Sequence, residues 1–169
     1  EGAIKIDNLK DFCKEKKIAC LGLSDTSNLC GALEFAENIS KVGTQPVIGT
    51  QIYFRFEDTT GLLPLIALNE IGYKRIIELS SRSYLENDAL SDPHLDIKEL
   101  LIDTKGVSLL SGTIQGLFGK LFEKGRLDEI SKLYKSLSSK FNDNFYLEIQ
   151  RHGDQNEIAF EKFNLEQSL

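Results

Sequence analysis

Two residues of this chain could hold a cation or move a proton at the end of a strand. Asp25 follows Ser24 at the end of the apolar run 18–23, and His152 follows Phe145-Tyr146-Leu147-Glu148-Ile149. The carboxyl end of a buried strand is where α/β folds place metal ligands and acid–base groups. Each residue also has a plainer role. Asp starts turns and caps helices, and a single His is commonly a hydrogen-bonded structural residue. The neighbour of Asp25 decides how far the chemistry goes. A metal site on this turn would want a second ligand there, usually His. Thr26 offers only a neutral hydroxyl, which binds divalent ions far more weakly than imidazole. The other histidine, His94, lies in a solvated Ser-Asp-Pro-His loop. Gly22 and Gly31 lack the spacing of a dinucleotide fingerprint, and Ser111-Gly112-Thr113 is too short for a phosphate loop. No Ser/His/Asp or Cys/His set can be assembled.

These residues are only as useful as the elements that carry them. Asp7 is expected to cap a helix over 8–17, with Leu9, Phe12 and Cys13 on one face. The run 18–23 reads as a strand covered on both sides. Thr26 or Ser27 then caps a helix to Ser40, which Gly43 stops. Strands follow at 46–54 and 62–68, separated by a turn at 58–61, with Pro64 marking an edge or a bulge. Asn69 and Gly72 bracket the start of a helix carrying Tyr73, Ile76, Ile77 and Leu79. A polar loop covers 86–95, a short helix 97–102, a strand 107–110 and a helix 114–123. Leu127, Ile130, Leu133, Tyr134, Leu137 and Phe141 form one helical stripe. A strand at 145–149 and a helix from about 155 complete the chain. This alternation predicts an α/β fold with a mostly parallel sheet. Asp25, Gln51, Thr113 and His152 fall at strand ends, positions that a barrel gathers at one rim.

Composition narrows the function. With 169 residues the chain is one domain or part of one, and a formal charge of -6 argues against its gripping DNA or RNA unaided. No apolar stretch approaches the length of a membrane span. Cys13, Cys20 and Cys30 are odd in number and lack metal-type spacing. Reduced, packed thiols of a cytoplasmic protein are expected, with Cys20 on a buried strand and Cys30 on a helix face. The chain contains no Met, which suggests an excerpt from a longer polypeptide.

Several segments together resemble the PHP (polymerase and histidinol phosphatase) domain family. Residues 2–6 resemble the stretch just after its first histidine motif, and residues 23–32 resemble its second motif. Residues 46–49, 67–73, 109–112 and 145–153 match later blocks in the right order. The resemblance is strongest to the amino-terminal PHP domains of bacterial DNA polymerase III alpha subunits. It implies a distorted (β/α)7 barrel, incomplete here, with residues 1–169 a single-domain fragment lacking the first strand and the carboxyl-terminal strands.

Active members of that family hydrolyse phosphoesters with divalent metals. Carried over position by position, Asp25 and His152 match ligand positions. Thr26, Gln51, Leu62 and Thr113 stand where His, an acidic residue, His and Cys are expected. The resemblance therefore implies a degenerate metal site that holds no cofactor. It also implies a structural and partner-docking role in DNA replication. The partners would be the rest of the polymerase alpha subunit and a proofreading exonuclease subunit, with DNA contacted by the parent protein. The rival reading is an active phosphoesterase or proofreading exonuclease that uses Zn, Mn or Mg at Asp25 and His152.

Overall fold

The computed structural model describes residues 5–88 and 90–167. Its six-stranded sheet has the order β1-β2-β3-β5-β6, with β4 paired to β2. The strands are β1 (Cys20–Thr26), β2 (Gln45–Phe56), β3 (Thr59–Ala67), β4 (Leu95–Asp96), β5 (Val107–Leu110) and β6 (Phe145–Tyr146). The helices are α1 (Ile6–Lys16), α2 (Ala32–Ser40), α3 (Glu70–Leu85), α4 (Leu117–Glu123), α5 (Leu127–Phe141) and α6 (Gln155–Gln167). β1 and β4 run parallel to β2, β6 runs parallel to β5, and β3 is antiparallel to both β2 and β5. Only β3 is reversed. The result is a mixed α/β fold with one open sheet.

The reversal corrects the expected alternation of strand and helix. β2 and β3 form a hairpin, turning at Glu57-Asp58 with Glu57 left-handed at φ 53°. That turn lies one residue earlier than expected, and no crossover helix separates the two strands. Cations from the α4–α5 corner hold its tip. Arg126 donates to Glu57 and Glu129, and to Asp58 at 2.8 Å. Lys124 Nζ reaches Asp58 at 3.1 Å and the Thr59 hydroxyl at 2.6 Å. The Arg126 guanidinium also lies 5.3 Å from the Phe56 ring centroid.

Side chains alternate between the two faces of each strand, and the helices use one face. Ile52, Phe54, Leu63, Leu65, Val107 and Leu109 form the main core with buried residues of α3, α4, α5 and α6. A smaller core of Cys13, Phe35 and Ile39 seats α1 and α2 on Leu21, Leu23 and Ile48. The residues of opposite parity (Gln51, Tyr53, Leu62, Pro64, Ile66 and Leu110) are only half-buried and belong to neither core. We call this the open face.

Several boundaries differ from the sequence reading. β1 is not covered on both sides: it ends the strand order and exposes Cys20, Gly22 and Ser24. Cys20 on that edge is exposed, as is Cys30, which lies in the loop before α2 rather than on a helix face, and only Cys13 is packed. α1 starts at Ile6 without a side-chain cap, so Asp7 lies inside its first turn. β3 is internal to the sheet, yet its ladder with β5 begins at Leu65. Pro64 lies one residue outside that ladder, where no donor is needed. α3 is capped as expected, with Asn69 Oδ1 accepting from the Gly72 N–H at 3.1 Å. Gly72 is required there, because a Cβ would sit 1.7 Å from the Gly106 carbonyl oxygen.

The hairpin clamp carries a pH dependence. The Arg126 hydrogen bond holds the Glu129 carboxyl below its ordinary value of 4.5, and the Lys124 hydrogen bond holds Asp58 below 3.8. A carboxylate with a lower pKa folded than unfolded stabilises the fold above its unfolded value. That contribution fades as pH falls through the folded value. The urea midpoint is therefore expected to drop below about pH 4.5, and to drop less in Arg126→Gln. Equal drops in both proteins would show that the clamp contributes nothing.

Candidate functional site

The carboxyl end of β1 carries the first group of candidate residues. Asp25 pairs in register with Thr50, and Thr26 with Gln51. Since successive residues face opposite ways, Asp25 lies on the helix-covered side with Leu21 and Leu23. Thr26 lies on the open face with Gln51. Gln51 pairs onward with Pro64, and Leu62 is two residues from Pro64 on the same face. Thr26, Gln51 and Leu62 therefore cluster on neighbouring strands, with directly paired Cβ atoms about 5 Å apart. Gln51 lies inside β2 rather than at a strand end, because that strand continues to Phe56. Its amide reaches back to the Ser24 carbonyl at 3.4 Å.

Asp25 faces α2. Its Oδ2 lies 3.6 Å from where a Cβ on Gly31 would stand. Gly31 precedes the first turn of α2, where the helix dipole favours negative charge. α2 does not begin at Thr26 or Ser27 as expected. Asn28 diverts the chain: its Oδ1 accepts from the Cys30 N–H at 3.0 Å, and its Nδ2 donates to the Thr26 carbonyl at 2.9 Å. The buried Thr50 hydroxyl closes the loop from below, donating to the Asp25 carbonyl at 2.8 Å and the Asn28 carbonyl at 3.1 Å. Ser27 is left-handed at φ 56°, its N–H bonded to the Gln51 carbonyl at 2.7 Å and its carbonyl accepting from Tyr84 Oη at 3.0 Å. Thr50 and Tyr84 are the residues that the sequence reading missed. The Asn28 turn had a local signal, since Asn followed two residues on by a free N–H favours such a turn.

His152 lies elsewhere. It follows β6, four strand spacings from β1, or about 19 Å measured along the sheet. Its side chain is 72% exposed, with Nδ1 2.9 Å from Glu157 Oε1, and its N–H donates to Glu157 Oε2 at 2.8 Å. The His152 side-chain hydrogen bond is the largest cause holding the Glu157 carboxyl below its ordinary value. The adjacent Arg151 pairs with Glu161 at 2.5 Å. The strand expected at 145–149 stops at Tyr146, because the Ser111 hydroxyl takes the Glu148 N–H at 2.9 Å and ends the regular ladder. Thr113 Oγ1 accepts from the Gln115 N–H at 3.1 Å. It lines a cavity of about 10 Å³ with Glu148, Gln150 and Glu157, no larger than one water requires.

Tested for a divalent cation, these residues do not fit. The open face supplies a hydroxyl, a carboxamide and an aliphatic side chain from Thr26, Gln51 and Leu62, none of them an anionic or imidazole donor. Asp25 points to the other side of the sheet, and His152 is engaged by α6. Among the described residues, no three His, Cys, Asp or Glu side chains are grouped so as to hold a metal ion.

Residues 1–152 match the PHP domain family, and the chain belongs to it. Its homology is to the PHP domain of DNA polymerase III alpha subunits. It is 36% identical to the DNA polymerase III subunit alpha of Caulobacter vibrioides, over 95% of this chain and 15% of that protein. For the Borreliella burgdorferi subunit the figures are 32%, 90% and 14%, and for that of Vibrio cholerae 31%, 89% and 14%. The chain thus spans about one-seventh of those relatives. In fold it is similar to a solved Bifidobacterium adolescentis protein described as a metal-dependent phosphoesterase, with a TM-score of 0.55 at 13% identity over 99% of this chain and 80% of that one.

The loop network makes a stability prediction. Thr50→Val removes the hydroxyl that bonds the Asp25 and Asn28 carbonyls and is expected to cost about 1–3 kcal/mol in urea denaturation, with Thr50→Ser recovering most of it. A neutral Thr50→Val would show that the hydroxyl does not hold the loop.

Proposed function

We propose that this chain is the PHP portion of a replicative DNA polymerase catalytic subunit, and that it works there as a structural and docking element. One observation carries the non-hydrolytic part of the reading: Thr26, Gln51 and Leu62 occupy one patch of the open face with no charged or imidazole donor among them. Homology to polymerase alpha subunits over about nine-tenths of the chain supports the parentage. In this reading Asp25 and His152 are vestiges of a metal centre, and Thr113 is a fourth altered position. Residues 1–169 form part of a (β/α)7 barrel completed by strands from the longer polypeptide. Template-directed addition of deoxynucleotides to a primer belongs to other regions of that polypeptide, in the cytoplasm, with a proofreading exonuclease subunit as a docking partner. A charge of -6 fits a module that leaves DNA contact to its neighbours. Among the described residues, no helix is long and apolar enough to cross a membrane.

The test uses the longer polymerase chain. Primer extension is expected, together with background phosphoesterase and 3′-nuclease activity in added manganese, zinc or magnesium. Asp25→Asn and His152→Ala are expected to leave both activities unchanged. Manganese- or zinc-dependent hydrolysis that disappears in Asp25→Asn would overturn the reading.

A further inference from the structure

The face that α2 and α3 turn to solvent carries large apolar side chains. Leu33 of α2 is 71% exposed, and Ile77, Tyr84 and Leu85 of α3 are 40%, 53% and 82% exposed. The inner sides of the same helices already fill the cores, with Phe35 and Ile39 from α2 and Ile76 and Leu79 from α3. A helix that is apolar on both sides is one that something covers. The two helices lie together. Both pack on β2 from the helix-covered side, and the Tyr84 hydroxyl donates to the Ser27 carbonyl, in the loop that leads into α2, at 3.0 Å. Ile77 precedes Tyr84 by two turns of α3 and lies on the same side of it.

Charge indicates what covers this face. Residues 26–40 and 83–97 together hold six carboxylates and no Lys or Arg, which equals the whole chain's formal charge of -6, so the remainder is balanced. The two stretches meet in the fold. β1 leaves β2 with Thr26 opposite Gln51, and β4 takes up the same edge with Leu95 opposite Phe54, since β3 occupies the other edge. Three residues along a strand span about 10 Å. Glu86 is answered by Arg82 at 2.5 Å. Glu34, Glu37, Asp88 and Asp92 have no ion pair among the described residues. The carboxyl end of α3 adds the negative pole of its helix dipole.

An acidic surface repels nucleic acid, anionic lipid and a second copy of itself. It complements a segment that sets Lys or Arg beside apolar side chains. We propose that the α2–α3 face docks a basic amphipathic segment of a partner protein. Leu33, Tyr84 and Leu85 meet its apolar side, and Glu37 and Asp92 meet its cations. This rests on the reading of the chain as a docking element of a polymerase.

The probe is a fluorescein-labelled lysine–leucine peptide, with leucine on one helical face and lysine on the other, bound to the longer polymerase chain and followed by anisotropy. Saturable binding is expected, weakened at least ~10-fold by Glu37→Lys with Asp92→Lys, and likewise by Leu33→Ser with Leu85→Ser. Glu123→Lys with Asp143→Lys changes the net charge equally at exposed positions elsewhere and is expected to leave binding unchanged. Hydroxyl-radical footprinting should find Leu33 and Leu85 oxidised in the chain alone and protected once the peptide is added. No binding, equal weakening in the control pair, or insensitivity to either patch pair would overturn the proposal. So would protection of Leu33 and Leu85 before the peptide is added, because the same polypeptide or a second copy would then cover the face. A chain that extends primers but fails these tests refutes the docking face alone. One that passes them but extends no primer refutes the polymerase reading instead.

Discussion

Neighbouring residues on a strand cannot face the same way, and here the helices take a single side of the sheet. Most of the structure follows from that constraint. The large core is built from one parity of β2, β3 and β5, where Ile52, Phe54, Leu63, Leu65, Val107 and Leu109 are all buried. The other parity is left for whatever the open face does. Asp25 and Thr26 are therefore separated, although they are adjacent in the chain. The carboxylate goes to the helix side, beside the start of α2, and the hydroxyl goes to the open face. A metal centre on the open face would have to be built around Thr26, Gln51 and Leu62, which are the wrong chemical types for it.

The same constraint explains why so much polar effort goes into two corners. At the end of β1, Thr50, Asn28 and Tyr84 secure a loop whose Ser27 adopts a backbone conformation unfavourable to residues with a Cβ. At the hairpin tip, Arg126 and Lys124 gather Glu57, Asp58 and Glu129. Exposed ion pairs contribute little singly, but Arg126 is 16% exposed at its side chain and meets three carboxylates. The hairpin sets the register of β3 on β2, and that register brings Leu62 into the same patch as Gln51.

Much of this was legible in the sequence. The α5 stripe was read correctly because burial of Ile130, Tyr134, Leu137 and Phe141 follows helical spacing. Val107–Leu110 was found to the residue, and Asn69 announced the cap of α3. A turn between β2 and β3 was legible at 58–61, but Glu57-Asp58 lacks the Asn-Gly or Asp-Gly signal of a two-residue hairpin turn, so the reversal of β3 and its register were not. β1 was misjudged because an apolar run reads the same in a central strand and at a sheet edge. α2 was started too early because the Asn28 side chain competes with the helix for backbone groups. In the candidate site, alternation along β1 already separates Asp25 from Thr26. Which side the helices cover is a tertiary fact that local pattern does not contain, and the placement of His152 depended on where β6 would stop.

The open face lacks the donors to grip a divalent cation. Anomalous X-ray diffraction at the manganese edge, on crystals of the longer chain grown in excess manganese, examines this most directly. No anomalous peak is expected within coordination distance of Thr26, Gln51 or Leu62. A well-occupied peak there, with Asp25 or His152 drawn into its coordination sphere, would contradict that expectation.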